Sequence, residues 1–120
     1  MAIVVNHLTF QQEVLDCSMP VIISFWAPWC GPCRMVDPLL TELQARWDGQ
    51  LKVVSINADE NLQLASSYRL TTLPTVILLH QGDLLSRLDR FSTRQDFRDA
   101  SVQLHECLMA LEPCLAAVPV

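Results

Sequence analysis

Long apolar runs, lysine and glycine are what this 120-residue chain has least of. No uninterrupted apolar stretch approaches the eighteen or so residues of a membrane span. Eight basic residues face thirteen acidic ones, for a net charge of -5, and Lys52 is the only lysine. Such a surface excludes nucleic acid as an expected partner, because phosphate binding draws on clustered positive charge. Three glycines and seven prolines exclude a collagen-like chain, and 51% hydrophobic with 18% charged residues excludes a disordered one. The N-terminus has no basic segment before its short apolar run and no small-residue cleavage pattern, so the expected location is a reducing compartment, the cytoplasm.

What is there is enough apolar sequence for one domain. Area scaling lets a chain of this size bury about two thirds of its extended surface. We expect a domain over residues 1–112 and a short apolar tail over 113–120. Cys17, Cys30, Cys33, Cys107 and Cys114 make an odd count that does not pair into a disulfide framework. In a chain expected inside the cell, a close Cys-x-x-Cys pair points to catalysis or metal binding.

Strand-like and helix-like segments alternate. Thr9 and Gln12 read as a capping box, with Phe10, Val14 and Cys17 on one helical face. Val21 to Trp26 is nearly continuous apolar sequence, which predicts a central strand covered on both faces. Val36, Leu39, Leu40, Leu43 and Trp47 fall at helical spacing, with a kink at Pro38 and a stop at Asp48-Gly49. Leu51 to Ile56 predicts a second strand, and Asp59 a cap for a helix over Asn61 to Tyr68. Thr75 to Leu79 and a segment ending near Phe91 predict a hairpin around Gln81-Gly82-Asp83. Ser92 with Gln95 predicts another capping box, opening a last helix with Phe97, Leu104, Leu108 and Leu111 buried and Pro113 as its stop. The order β-α-β-α-β-α-β-β-α predicts an α/β fold, a mixed central sheet with helices on both faces.

Cys30 and Cys33 fall just past a buried strand, at the start of a helix, where unpaired N–H groups and the macrodipole favour a thiolate. Cys30 is expected to be the exposed, ionised member, with Cys33 one turn further in. Lowering a thiol pKa from about 8.5 to about 7 raises the thiolate fraction at pH 7 from roughly 3% to 50%. Lower intrinsic nucleophilicity takes back about fivefold, leaving a net gain of about threefold. Proximity is the larger effect: once Cys30 holds a mixed disulfide, Cys33 attacks it intramolecularly. Pro32 fixes a dihedral between the sulfurs and suits a first helical turn. A zinc site would have to draw its other ligands from His105, Cys107 and Cys114, with no second tight pair, so no metal is expected. Cys17 and Cys107 read as small core residues.

These residues resemble the thioredoxin family. Trp26-Ala27-Pro28-Trp29-Cys30-Gly31-Pro32-Cys33-Arg34-Met35 is similar to its active-site motif, Pro38 to its helix kink and Leu73-Pro74-Thr75 to its cis-proline loop, at constant register from about Phe10 to Phe97. The resemblance implies a thioredoxin-like fold and reduction of protein disulfides, with Cys30 as nucleophile and Cys33 as resolving thiol. The redox-active disulfide then serves in place of a bound cofactor, and electrons come from a partner reductase. It implies a cis bond before Pro74 that offers the Leu73 backbone to an extended substrate. Trp29, Gly31, Pro32, Ala58, Thr72, Leu73 and Pro74 match its docking surface. The chain is expected to act as a monomer.

Three positions depart from the family pattern. Ser24 stands for a buried Asp and Ser55 for a Lys, and losing both ions together is physically coherent. Since a serine hydroxyl is no base near pH 7, Cys33 activation is expected to be slower or water-assisted. Asp89-Arg90-Phe91 replaces a small residue, a Gly and another small residue beside the groove, and Arg90 is expected to steady the Cys30 thiolate and select acidic partners. The alternative function is a redox-poised binding module with the same scaffold and little turnover.

Overall fold

Period-two alternation along three central strands sorts their side chains into two apolar cores, one on each face of a sheet. The structure, a computed structural model, describes residues 2–116, with side chains described as far as Leu111. The strands are β1 (Ile3–Val4), β2 (Val21–Trp26), β3 (Lys52–Asn57), β4 (Thr75–His80) and β5 (Asp83–Leu88), in the order β1-β3-β2-β4-β5. β3 pairs in parallel with β1 and β2, while β4 runs antiparallel to β2 and β5. This is the expected mixed sheet, with β2 at its centre.

Ile22, Val53, Val76 and Leu78 point to one face, where α1 (Val36–Arg46) and α3 (Arg94–Ala116) cover them with Val36, Leu40, Leu43, Leu104 and Leu108. Val21, Ile23, Phe25, Val54, Ile56, Ile77 and Leu79 point to the other. Val14 of a π-helical segment (Gln11–Leu15) and Phe10 just before it seal that face, with Leu64 and Tyr68 from in and around α2 (Leu62–Ser67) packed against it. Each fully buried aliphatic or Phe side chain contributes about 1.5–3 kcal/mol of transfer free energy. Cys17 and Cys107 are half-buried, one against each core, as small packing residues.

β2, β3 and β4 lie within one residue of their expected positions, but β5 ends at Leu88, three residues short of Phe91, and the helix ends differ. Thr9 does not cap the first segment; the Asn6 side-chain oxygen instead accepts from the Leu8 and Thr9 N–H groups, and the π segment starts without a side-chain cap. Asp59 does not cap α2 either, because its carboxylate is engaged elsewhere. The capping box of α3 is Thr93 with Asp96, one residue beyond the expected Ser92 and Gln95. Thr93 Oγ1 accepts from the Asp96 N–H, and Asp96 Oδ2 accepts from the Ser92 and Thr93 N–H groups at 2.7 and 2.8 Å. Those two bonds hold the Asp96 carboxyl below its usual range. Pro113 does not end α3, which continues to Ala116; a proline removes one intrahelical donor there without ending the helix. The expected tail over 113–120 therefore begins inside the helix, and residues 117–120 lie outside the described residues, as does the Cys114 side chain.

The hairpin turn is Gln81-Gly82, with φ of 54° and 85°. Two consecutive positive φ angles match the right-handed twist of the flanking strands.

Candidate active site at the end of the central strand

β2 delivers the chain to its carboxyl end at Trp26, and the backbone then turns tightly, with the Cys30 N–H donating to the Ala27 carbonyl at 3.0 Å. Gly31 caps a single 3₁₀ turn (Pro32–Met35) that runs directly into α1. The turn is tight: its first bonds close over three residues, Arg34 N–H to Gly31 and Val36 N–H to Cys33.

Cys30 and Cys33 form a disulfide with their Cα atoms 5.5 Å apart. Both are only 6% exposed. Cys30 is thus no more exposed than Cys33, because the S–S bond holds the sulfurs at one depth, packed with Ala27, Trp26 and Leu73. They are reached through a cleft of about 490 Å³ whose walls include Trp26, Pro28, Arg34, Asp37 and Ser55.

Pairing of Phe25 with Thr75 sets the loop before β4 beside this turn. The Leu73-Pro74 bond is cis, Leu73 packs on the two cysteines, and Pro74 is buried. Thr75 Oγ1 donates to the Thr72 carbonyl at 2.8 Å and Thr72 Oγ1 to the Asp89 carbonyl at 3.0 Å, which ties the loop to the exit of β5. Arg87 braces the same corner: its guanidinium donates to the carbonyls of Tyr68 and Arg69 and pairs with Asp89. Arg90 is exposed beside this junction, while Phe91 turns inward against Phe97, ring centroids 4.9 Å apart.

Trp29 is 70% exposed, its indole N–H bonded to Asp59 Oδ2 at 2.8 Å. Asp59 is itself positioned by Asn57, whose side-chain oxygen accepts from the Asp59 and Glu60 N–H groups. Gly31, Pro32 and Thr72 are exposed around it. Ala58 is buried to the same degree as the two cysteines, with its N–H on the Trp26 carbonyl. Among the described residues no group of three or more His, Cys, Asp or Glu is placed to hold a metal ion.

The family profile described as Thioredoxin matches residues 1–101. Thioredoxin 1 of Nostoc sp. is 50% identical over 78 residues, covering 65% of this chain and 73% of the relative. Thioredoxin 1 of Synechococcus elongatus is 48% identical over 81 residues, 68% and 76% of the two chains. The thioredoxin of Rickettsia felis is 40% identical over 79 residues, 66% and 75%. The chain belongs to the thioredoxin family. With its Cys30–Cys33 disulfide at the strand-to-helix junction, it is a thiol-disulfide oxidoreductase acting on protein disulfides.

Within this thioredoxin fold, two of the three noted departures lie side by side, apart from Arg90. Ser24 and Ser55 are register partners on β2 and β3. Ser24 is buried, Ser55 half-buried, and both line a second cleft of about 320 Å³ between α1 and the β1-β3 rim. Two residues of the site were missed by sequence reasoning. Asp59 as the Trp29 partner had no local signal, being thirty positions away. Asp37, which lines both clefts, had one: it follows Cys33 by four residues, at the start of the helix that the cysteine turn leads into.

Proposed function

We propose that Cys30 is the nucleophile and Cys33 the resolving thiol in the reduction of protein disulfides. Cys30 attacks a substrate disulfide, Cys33 displaces the reduced substrate, and the Cys30–Cys33 disulfide is returned to the dithiol by a partner reductase. The single observation that carries this reading is the disulfide at the open end of β2, with Leu73 packed against it and a cleft leading to it. Trp29, Thr72, Leu73 and Pro74 border the place where an extended substrate would lie, with Leu73 offering backbone groups for strand-like pairing. Arg90, exposed beside the Thr72 to Asp89 bond, favours acidic substrate segments. The enzyme works as a cytoplasmic monomer, serves cell redox homeostasis and needs no bound cofactor, the disulfide itself carrying the electrons. No helix of the described residues is long and apolar enough to cross a membrane.

Trapping tests this. A Cys33→Ser protein is expected to accumulate mixed disulfides through Cys30, and the unaltered protein to reduce many insulin disulfides per molecule when a reductant is supplied. Arg90→Gly in the trapping background is expected to widen the set of captured partners. Reversible oxidation without turnover, and no trapped species, would instead assign the chain as a redox-poised binding module.

A further inference from the structure

Before its sulfur can attack the mixed disulfide, Cys33 must give up a proton, and a neighbouring group has to receive it. Two clefts meet beside it, one opening on the disulfide and one between α1 and the β1-β3 rim, and they share Asp37 and Ser55. Among the described residues the charged groups across both linings are Arg34 and Asp37, so Asp37 is the carboxylate these clefts supply. From the strands packed against α1 the clefts receive Trp26 and Ser24 of β2, Val53 and Ser55 of β3 and Val4 of β1, none of which titrates near neutral pH.

Asp37 stands four residues after Cys33, just past the junction of the 3₁₀ turn with α1, and both residues line the disulfide cleft. Helical side chains lean toward the N-terminus, so Asp37 reaches back over the turn that carries Cys33. It is exposed, which lets a proton taken from the thiol pass on to solvent.

We propose that Asp37 is the proton acceptor for Cys33 in the resolving step, acting directly or through one water in the cleft. The proposal rests on the roles given above to Cys30 and Cys33. In the mixed disulfide, Cys30 Sγ is bonded to a substrate sulfur and Cys33 is a thiol. Asp37 takes the thiol proton, and the electron pair left on Cys33 forms the bond to Cys30. The bond from Cys30 to the substrate breaks, its electron pair leaves on the substrate sulfur, and that sulfur takes a proton from water. Asp37 returns its own proton to solvent. Over attack and resolution together the two cysteines are oxidised by two electrons and the substrate disulfide is reduced to two thiols.

Single-turnover reduction of insulin, with Asp37→Asn compared in the native and Cys33→Ser backgrounds, separates the steps. Attack by Cys30, read in the Cys33→Ser background, is expected to stay within about twofold. Resolution by Cys33 is expected to slow by about a hundredfold at pH 7, the low end for a general base. The gap should close as the pH rises through the ordinary thiol range near 8.5, where Cys33 ionises unaided. Asp37→Glu, which keeps the carboxylate, should retain most of the rate. Equal resolution rates overturn the proposal, as does a faster Asp37→Asn, which would mean that the charge only repels the thiolate. A deficit that does not change with pH also overturns it, by assigning Asp37 a structural role. If no mixed disulfide forms on Cys30 in any of these proteins, the cysteine roles themselves fall, and this proposal with them.

Discussion

The two faces of the sheet begin alike and end differently. Under the π segment and α2, β2 and β3 present Val21, Ile23, Phe25, Val54 and Ile56 without a break, up to the end of the strands. Under α1 and α3 they present Ile22 and Val53, then Ser24 and Ser55 in register, and there both clefts open. One sheet with one alternation thus supports two uses. Continuous apolar burial holds the fold together, while the paired serines line the clefts, Ser55 both of them and Ser24 the one between α1 and the β1-β3 rim.

The largest effect expected from this contrast separates neighbours in sequence. Phe25→Ala on the sealed face should cost about 3–5 kcal/mol. Ser24→Ala, one residue away on the open face, should change stability by less than about 1 kcal/mol. Denaturant unfolding of the two variants measures both, and comparable losses would break the distinction.

A second pair of variants sharpens the contrast between the far end of the sheet and its functional end. Gly82 has φ of 85° in the hairpin turn, so Gly82→Ala should destabilise by about 1–2 kcal/mol. Gly31, beside the disulfide, has φ of -61°, and a Cβ there would meet nothing within 4 Å. Gly31→Ala should therefore leave stability unchanged or raise it by up to about 1 kcal/mol. Its effect should fall on the KM for insulin, since the added methyl stands on the substrate side.

The smallest effect concerns the cap of α3, the helix that covers the open face. Thr93→Ala should cost about 1 kcal/mol. Asp96 adds a pH signature. Its carboxyl is held low by the Thr93 and Ser92 N–H groups, so the native state binds a proton less readily than the unfolded chain. Its stabilisation is complete above the unfolded carboxylate range, near pH 4, and is lost as the pH falls from there through the lowered native value. Asp96→Asn should accordingly lower the melting temperature at pH 7, and the difference from the unaltered protein should shrink below about pH 4. A difference that persists in acid would assign the loss to packing.

Elements whose signal is dense were readable from sequence. β2 fell within its expected bounds because five apolar or aromatic residues in a run of six admit little else. The helix ends were not, since several short polar residues near each boundary satisfy the same spacing rule. Ser92 with Gln95 and Thr93 with Asp96 both fit, and only the path out of β5 selects the second. Cys30, Cys33 and Pro74 were legible because close spacing and proline constraints are local. Burial of Ala58 and the reach of Asp37 into two clefts were not, because each depends on how β3 and α1 lie against their neighbours.

Arg87 points to a wider consequence. Its guanidinium touches acceptors on three residues, at the end of α2 and at the exit of β5, from a strand on the outer rim of the sheet. A change made on that rim, remote from either sulfur, would shift the seat on which an incoming polypeptide rests, so selectivity in this molecule can be retuned without touching its chemistry.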